Sequence, residues 1–475
     1  MVDLLEQLER VGAPYERRAP AAPAFLIVDA AGDPTRTAAY RRLRAAAFVD
    51  EQALFARHDR DHHDEDVRTK VLVAVGADGA VLGGVRVHPA VAEGQGLGWW
   101  QGSRLVCAPG SRPTQRAVIG AALVRAACAV ALNAGALRFD AQVQERMETF
   151  FARLGWTRVR DLVVAGRPHV LMRFPIDRIA QLAEATKAPL AGLLDDVLTP
   201  SPWLGDDGAP VAGTDVVACT DAIVPAMVER DPAWAGWCAM LVTAHDLAAM
   251  GAAPVGALDA LGARDADAAA RVVAGLRDGA EAFGLPILGG HTQLGVPAAL
   301  SVTGLGRTAD PIPAGGGRTG DPLTITADLG GRWRPGYAGR QWDSTTHRTR
   351  DEQRAMHDAV AAARPRAAKD ISMAGIVGTT GMLAEASGCG ATLDVARIPR
   401  PDGVTGGDWL TCFPGYAMVT AGEKTLDAGP AVSAHCGVLT TDPGVRLRWP
   451  DGDVTVALTG GVTGLGPTTT TEAAA

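Results

Sequence analysis

The 475-residue sequence lacks several features that mark particular classes of protein. No run of eighteen or more apolar residues occurs, so no membrane-spanning helix is predicted. Near the start, Glu6, Glu9 and Arg10 interrupt the apolar stretch that a signal sequence requires. These absences predict a soluble, cytoplasmic protein with no membrane partner.

Cysteine, lysine and basic tracts are also scarce. The seven cysteines are scattered and form no Cys-x-x-Cys pair, so neither a disulfide framework nor a zinc site is predicted. Only four of the 45 basic residues are lysines, and the net charge is −8. No basic tract with interleaved aromatic residues occurs, which argues against nucleic acid as a partner.

The chain does have length and apolar content sufficient for two or three domains, since 47% of its residues are hydrophobic. The first region is predicted to end just after Phe174-Pro175, and a Pro- and Gly-rich stretch at 310–320 divides the second region. The predicted domains are residues 1–177, 178–312 and 313–465. Residues 466–475 have no apolar periodicity and are predicted to be a disordered tail.

The stretch Thr243 to Pro254, TAHDLAAMGAAP, places the carboxylate of Asp246 at the border of an apolar helix face. A partly buried carboxylate stays ionised only if it is paired, hydrogen-bonded or bound to a cation. A single Asp of this kind is more often solvated or bonded to a turn, but further aspartates accompany glycines at predicted strand ends and loops. Such carboxylates suit Mg²⁺ bound to nucleotide phosphates. The candidate metal ligands are Asp206, Asp207, Asp221, Asp246 and Asp370.

Six motifs occur in a characteristic order between residues 179 and 464: GDDGA, TD, HDLAAMGAAP, GGHT, AKDISMAG and FPGYAMV. In this order they resemble the AIR synthase superfamily, whose relatives include thiamine-monophosphate kinase, selenide-water dikinase and hydrogenase-maturation proteins. The resemblance implies a homodimer that binds ATP with Mg²⁺ and phosphorylates a carbonyl, amide or similar oxygen. Met373 departs from it, because kinase-like relatives often have a second acidic residue there. The nucleotide contacts that the resemblance implies are Gly205, Gly289, Gly290, His291 and Thr292.

The dimer is expected to form through the second region. In the superfamily, strands of the first half pair across a two-fold axis. Here Val216–Cys219, Ile287-Leu288 and Ala299–Thr303 are short, β-prone runs that would otherwise leave exposed strand edges.

Residues 25–174 alternate predicted strands and helices, and a loop after the strand Arg104–Cys107 leads into a long helix that ends at Gly135. A helix start after a loop presents free N–H groups to an anion. The pattern resembles a GNAT-type acetyltransferase and implies acetyl-CoA as a cofactor. The implied contacts are Val106, Cys107, Gln115, Arg116, Ala117, Val118, Ile119, Gly120 and Ala121.

Two departures from that family concern binding and catalysis. Val118 stands at the first glycine of the family's loop signature, and Phe151 replaces a tyrosine that can protonate the leaving thiolate. The candidate general bases are Glu51, Asp140 and Glu145, although a surface carboxylate explains each of them better. His58 to Asp66 is histidine- and aspartate-rich and is interpreted as a solvated acidic loop in preference to a metal site.

The predicted fold class is α/β and α+β, with a GNAT-like mixed sheet and helices followed by an AIR synthase-like two-part α/β domain. The first functional hypothesis is a bifunctional enzyme, an N-acyltransferase joined to an ATP-dependent enzyme that activates a small nitrogen-containing metabolite. In the alternatives, the first domain senses acyl-CoA without turnover, or the second is a nucleotide-binding scaffold. Fold resemblance alone does not decide between them.

Overall fold

The computed structural model describes residues 25–91, 96–109, 112–194, 196–199, 201–337 and 339–467. The chain divides into two compact units. Unit 1 takes the described residues of 1–88, 101–131 and 140–174, and unit 2 takes those of 89–100, 132–139 and 175–475. Two short pieces of the predicted first domain therefore belong to unit 2. Most of the predicted tail, residues 468–475, lies outside the described residues.

The first sheet has seven strands in the order β1-β2-β3-β4-β5-β7-β6. Its strands are β1 (Phe25–Asp29), β2 (Lys70–Gly76), β3 (Val81–Pro89), β4 (Trp99–Cys107), β5 (Arg138–Gln144), β6 (Thr157–Val164) and β7 (Arg167–Phe174). The helices here are α1 (Pro34–Arg44), α2 (Pro113–Asn133) and α3 (Glu148–Ala152). Asp33 caps α1 by accepting a hydrogen bond from the Arg36 N–H, and Pro34 supplies a φ suited to the first helical turn.

Helix α2 begins earlier than the sequence predicted. It starts at Pro113, so residues 115–121, which were expected in a cofactor-binding loop, lie inside the helix. The fixed φ of proline favours the first helical position, which explains the early start. By length and composition alone α2 could cross a membrane, and it is the one such helix in the described ranges; core helices of soluble proteins pass the same test.

The second sheet has the order β11-β10-β12-β9-β8 and lies in unit 2. Its strands are β8 (Ala209–Pro210), β9 (Val216–Ile223), β10 (Ala253–Ala263), β11 (Ile287–Leu294) and β12 (Ala299–Arg307). The helices of this part are α4 (Arg178–Thr186), α5 (Leu190–Leu194), α6 (Pro225–Arg230), α7 (Pro232–Ala249) and α8 (Ala266–Phe283).

Helices α7 and α8 pack at very short range because glycines face the neighbouring backbone. A Cβ on Gly236 would come within 2.2 Å of the Val272 carbonyl oxygen, and one on Gly275 within 1.9 Å of the Ala233 carbonyl oxygen. Helix α7 is buried over most of its length, as its apolar sequence predicts. It carries Asp246 one turn before its end, beside β9 and the later strand β16.

The third sheet has the order β16-β18-β13-β19-β17-β20-β21, and β14 pairs with β15 in a separate ribbon. The strands are β13 (Pro322–Ala327), β14 (Arg332–Trp333), β15 (Trp342–Asp343), β16 (Ala367–Asp370), β17 (Gly390–Asp394), β18 (Ala417–Ala421), β19 (Val432–Thr440), β20 (Val445–Arg448) and β21 (Val454–Leu458). The helices are α9 (Arg350–Ala363), α10 (Gly375–Ala386) and α11 (Gly406–Thr411). Mixed sheets with covering helices confirm the predicted mixed α/β class.

Candidate functional site

Three aspartates from distant parts of unit 2 converge. Asp207 follows the turn at Gly205, Asp246 lies near the end of α7, and Asp370 ends β16. Each offers a carboxylate oxygen, and these oxygens lie within 4.8 Å of one another. We call these three residues the acidic trio. Hard oxygen donors at this spacing suit Mg²⁺, so the residues fit the metal that the sequence predicted.

Asp207 is held by β16 through both of its carboxylate oxygens. Its Oδ1 pairs with the ammonium group of Lys369, and its Oδ2 accepts a hydrogen bond of 2.9 Å from the Asp370 N–H. The Lys369 Nζ also donates to the Gly205 carbonyl oxygen at 3.0 Å. Gly205 has a φ of +85°, a conformation that glycine adopts without strain. The turn is thus fixed against the strand that carries Asp370.

The electrostatics of the trio show an excess of negative charge. Burial raises the pKa of Asp246 well above its ordinary value, and repulsion from Asp221, Asp370 and Asp207 adds to that shift. Burial raises the pKa of Asp370 likewise, with Asp207 and Asp221 adding to it. Like charges brought together in a low dielectric favour protonation unless a cation binds. A bound cation would relieve the repulsion among these carboxylates.

Asp221 and Asp206 lie at the edge of this group. Asp221 lies within β9, opposite Val302, because the strand runs on to Ile223 instead of ending at Cys219 as predicted. Burial raises its pKa, and its carboxyl group is within hydrogen-bonding reach of Asp246. Asp206 points elsewhere: its Oδ1 accepts a 3.0 Å hydrogen bond from the Ala314 N–H. Burial raises the pKa of Asp206 to about 7.

Two of the four lysines act electrostatically on this site. Lys369 is 2% exposed; burial favours its neutral form, but the ion pair with Asp207 outweighs burial and raises its pKa. The charge of Lys187, at the end of α4, partly offsets the raised pKa values of Asp221 and Asp370. From the sequence, Lys187 could reach a phosphate, although a lysine on a helix is usually solvated, and Lys369 was not singled out. Their scarcity among 45 basic residues was the signal that could have identified them.

The predicted GGHT contacts lie on β11. Gly289, Gly290, His291 and Thr292 follow one another in this strand, which forms an edge of the second sheet and pairs in parallel with β10. Most of β11 is exposed. Their role in nucleotide binding stays a prediction.

The three candidate bases of unit 1 have different surroundings. Asp140 is fully buried in β5, and its Oδ1 accepts a 2.7 Å hydrogen bond from Arg173 Nε. That ion pair favours a structural role, because the charge is already matched. Glu51 and Glu145 are exposed. Their roles stay predictions.

The predicted acetyl-CoA contacts lie on two consecutive elements. Val106 and Cys107 end β4, and Gln115 to Ala121 occupy the first turns of α2. The Arg116 N–H donates to the Arg112 carbonyl oxygen, so it is already bonded within the helix start. Only the first turn leaves N–H groups without an intrahelical partner.

The segment from His58 to Asp66 is not a solvated loop, which corrects the sequence interpretation. Asp59 and Asp64 are buried and pair with Arg44, whose side chain is 1% exposed. Arg86 pairs with Asp61 and Asp64 at 2.6 and 2.8 Å. The periodicity of the segment gave no sign of this, because its arginine partners lie on α1 and β3.

The family models that match this chain match residues of the second unit. Residues 205–308 match the family described as AIR synthase related protein, N-terminal domain, and residues 333–426 match the C-terminal domain of the same family. The two-part arrangement that the sequence predicted is thereby confirmed for residues 205–426.

Two relatives align with part of the chain. An uncharacterised protein of Synechocystis sp. is 34% identical over 223 residues, which make up 46% of this chain and 69% of that protein. An uncharacterised protein of Methanocaldococcus jannaschii is 35% identical over 201 residues, 41% of this chain and 62% of that protein.

Solved structures are similar at lower identity. The thiamine-monophosphate kinase of Aquifex aeolicus is 19% identical, with 56% of this chain and 95% of that chain covered and a TM-score of 0.41. Phosphoribosylformylglycinamidine synthase II of Thermotoga maritima is 14% identical, with 62% and 53% covered and a TM-score of 0.48.

Proposed function

The chain belongs to the AIR synthase-related family, and from that premise we propose that it is a cytoplasmic, ATP- and Mg²⁺-dependent enzyme. It would phosphorylate or otherwise activate an oxygen of a small nitrogen-containing metabolite. The observation that carries this proposal is the acidic trio, in which three oxygen donors converge within 4.8 Å. A structural cluster would be expected to match its carboxylates with cations, as unit 1 does.

In this function Asp207, Asp246 and Asp370 would hold Mg²⁺, which supplies charge neutralisation for the transferring phosphoryl group. The chain's own residues contribute by holding the metal ligands in fixed positions. The hydrogen bond between the Asp370 N–H and Asp207 fixes two of the carboxylates relative to each other. Lys187 would add a positive charge beside Asp221 and Asp370. Such preorganised charge lowers the barrier without rearrangement during the reaction.

The test is ADP release from Mg-ATP in the presence of a panel of amides and amidines, with calorimetry of ATP binding with and without Mg²⁺. Asp370→Asn removes a metal ligand and is expected to abolish both signals. Asp278→Asn, on the exposed face of α8, is the matched control and is expected to behave as wild type. ATP turnover that is unchanged in Asp370→Asn would contradict the proposal.

A second function is proposed for unit 1, namely binding of acetyl-CoA and acyl transfer to an amine. It is supported by the order of elements, with β4 ending at Cys107 and α2 starting at Pro113. A negative charge in the first turns of α2 would repel the pyrophosphate, so Arg116→Glu is expected to weaken acetyl-CoA binding at least about tenfold. Arg125→Glu, exposed further along the same helix, is the control. Equal affinities in calorimetry, or no binding by wild type, would count against this function.

We also propose a homodimer formed through the second sheet. Strand β11 is an exposed edge, and Leu258, Ile287 and Leu288 expose apolar side chains on and beside it. An apolar, unpaired edge favours pairing with a second copy. Leu288→Arg is expected to give monomers in light scattering, whereas Val163→Arg, on unit 1 and 72% exposed, is expected to leave the dimer intact. A wild-type monomer at micromolar concentration would refute the dimer.

A further inference from the structure

Lys369 is one of few lysines in a chain whose basic residues are mostly arginine. With four lysines among 45 basic residues, a basic position taken at random would most often be arginine. Yet the cation inside the acidic site is a lysine that is 2% exposed. An ammonium group is a compact point charge, whereas a guanidinium group is a wide planar fork. The position therefore suits a cation of small radius with oxygen neighbours.

The surroundings of the Lys369 Nζ resemble those of a bound metal ion more than those of a surface ion pair. Its two oxygen neighbours are Asp207 Oδ1 and the Gly205 carbonyl oxygen. A carboxylate and a backbone carbonyl are donors that protein-bound cations commonly use. The same Asp207 belongs to the acidic trio, so the ammonium group and any metal ion would share one carboxylate.

The charges of the trio and the ammonium group limit how many metal ions fit. Together with Asp221 the trio carries four negative charges when ionised, and Lys369, Lys187 and one divalent cation would neutralise them. A second divalent cation would leave the trio positively charged before any nucleotide binds. A fixed positive charge beside the metal position also weakens the binding of a free metal ion, since like charges repel strongly at short range.

From these observations we infer that Lys369 is a built-in cation that takes the place of one metal ion at the trio, so that the site accepts a single divalent cation and binds it weakly until nucleotide is present. This inference rests on the metal site of the proposed function. Lys369 is here a positioning and charge-setting residue, with no direct part in the chemistry.

The test is binding of Mn²⁺ to the nucleotide-free protein, followed by electron paramagnetic resonance. Lys369→Met is expected to bind Mn²⁺ at least about tenfold more tightly than wild type, because a neighbouring positive charge is gone. Its melting temperature is also expected to rise more on addition of Mn²⁺. Arg366→Met, three residues earlier and largely exposed, is the control and is expected to match wild type.

Three outcomes would overturn the inference. Lys369→Met could bind Mn²⁺ no more tightly than wild type, or it could lose ATP affinity with Mn²⁺ affinity unchanged, which would make Lys369 a phosphate contact. It could also fail to fold both with and without Mn²⁺, which would show that a metal ion cannot replace the ammonium group. Folding that depends on Mn²⁺ would support the inference.

The Mn²⁺ and Mg-ATP measurements together separate this inference from the proposed function. Tighter Mn²⁺ binding by Lys369→Met, together with no Mg-ATP binding by either protein, would support the charge-setting role of Lys369 and refute the function together with the nucleotide-dependent part of the inference. Mg-ATP binding by wild type with unchanged Mn²⁺ affinity in the variant would refute the inference alone.

Discussion

Each unit of the molecule gathers aspartates, and the two groups differ in what balances them. In unit 1, three aspartates face three arginines: Asp59, Asp61 and Asp64 against Arg44, Arg86 and Arg104. In unit 2, the acidic trio and Asp221 lie around one ion-paired lysine, with Lys187 acting from the end of α4. The first group balances its charge internally, and the second does not.

The pKa directions reflect that difference. Burial alone would raise the pKa values of the Asp61 and Asp64 carboxyl groups, but hydrogen bonds from Arg86 and Arg44 outweigh burial and lower them. The Asp246 and Asp370 carboxyl groups have raised pKa values, because burial and mutual repulsion act together. The two clusters of aspartates thus differ in the sign of their pKa shifts, and raised carboxyl pKa values at a cluster are the pattern that favours a ligand site.

Breaking the aspartate–arginine network of unit 1 should have the largest effect on the stability of the folded protein. Arg44→Met leaves the buried carboxylates of Asp59 and Asp64 without one of their partners, and removal of one member of a buried pair costs about 3–5 kcal/mol. Urea unfolding monitored by circular dichroism measures the loss. Arg60→Met removes an exposed pair with Glu65 and should cost about 0–1 kcal/mol. Equal effects of the two substitutions would show that the network does not stabilise unit 1.

The two groups should also respond to pH in opposite directions. Asp206, beside the trio, has its pKa raised from 3.8 to about 7, so the folded protein keeps a proton that the unfolded chain loses. Its contribution to stability therefore falls as the pH rises from about 4 to about 7, by about 1.4 kcal/mol per pKa unit at most. The lowered pKa values of Asp61 and Asp64 affect the free energy of unfolding below pH 4, where protonation of the two carboxylates removes their stabilising contribution.

Asp206→Asn isolates the first of these pH effects. Relative to wild type, the variant should show a smaller fall in stability between pH 4 and pH 7, and some fall remains because Asp221, Asp246 and Asp370 still contribute raised pKa values there. The loss of stability below pH 4 also remains. Melting temperatures measured across that range provide the readout. A parallel pH profile for the two proteins would mean that Asp206 titrates as an ordinary carboxyl group.

The smallest effect on stability is expected at Met373, which is 52% exposed and follows Asp370 by three residues. Met373→Asp supplies the acidic residue that kinase-like relatives often have there and increases the imbalance of the trio. An exposed substitution of this kind changes stability by about 0.5 kcal/mol or less. The Mg²⁺ concentration that half-saturates ATP binding should fall, and Met373→Asn is the uncharged control. An unchanged Mg²⁺ requirement would place residue 373 outside the metal site.

The helical pattern around Asp246 and the order of the motifs led to five candidate metal ligands, three of which form the trio. Each of its members lies in a short, contiguous motif that contains glycine, although the three motifs are distant from one another in sequence. The sequence predicts the β2–β3 hairpin for a similar reason, because two β-prone runs at 71–75 and 81–87 adjoin and are separated by a turn with Gly79, and the two strands do pair. Local signals of this kind are strong in a single sequence.

Lys369 and the Asp59–Asp64 network were missed because their partners are distant in sequence. Lys369 precedes Asp370 in a strand, and side chains of neighbouring strand residues point to opposite faces, so adjacency did not suggest a shared site. The Lys369 Nζ comes close to the trio because the Gly205–Asp207 turn lies against β16. The Arg, Trp and Gly content of 332–350 similarly predicts a mobile loop or a lid, but the described part of this segment contains the β14–β15 ribbon and the buried Trp342 and Thr345, and the distant Trp237 donates a hydrogen bond to Thr345.

The carboxylates of the trio are expected to destabilise the nucleotide-free protein and to bind the metal ion. Asp246→Asn tests both effects most directly. Removal of this carboxylate relieves repulsion in the nucleotide-free protein and deletes a metal ligand. The melting temperature without nucleotide should therefore be equal to or higher than that of wild type, while Mg²⁺-dependent ATP binding measured by calorimetry should be lost. A lower melting temperature with unaltered nucleotide binding would contradict both expectations and make Asp246 a structural residue.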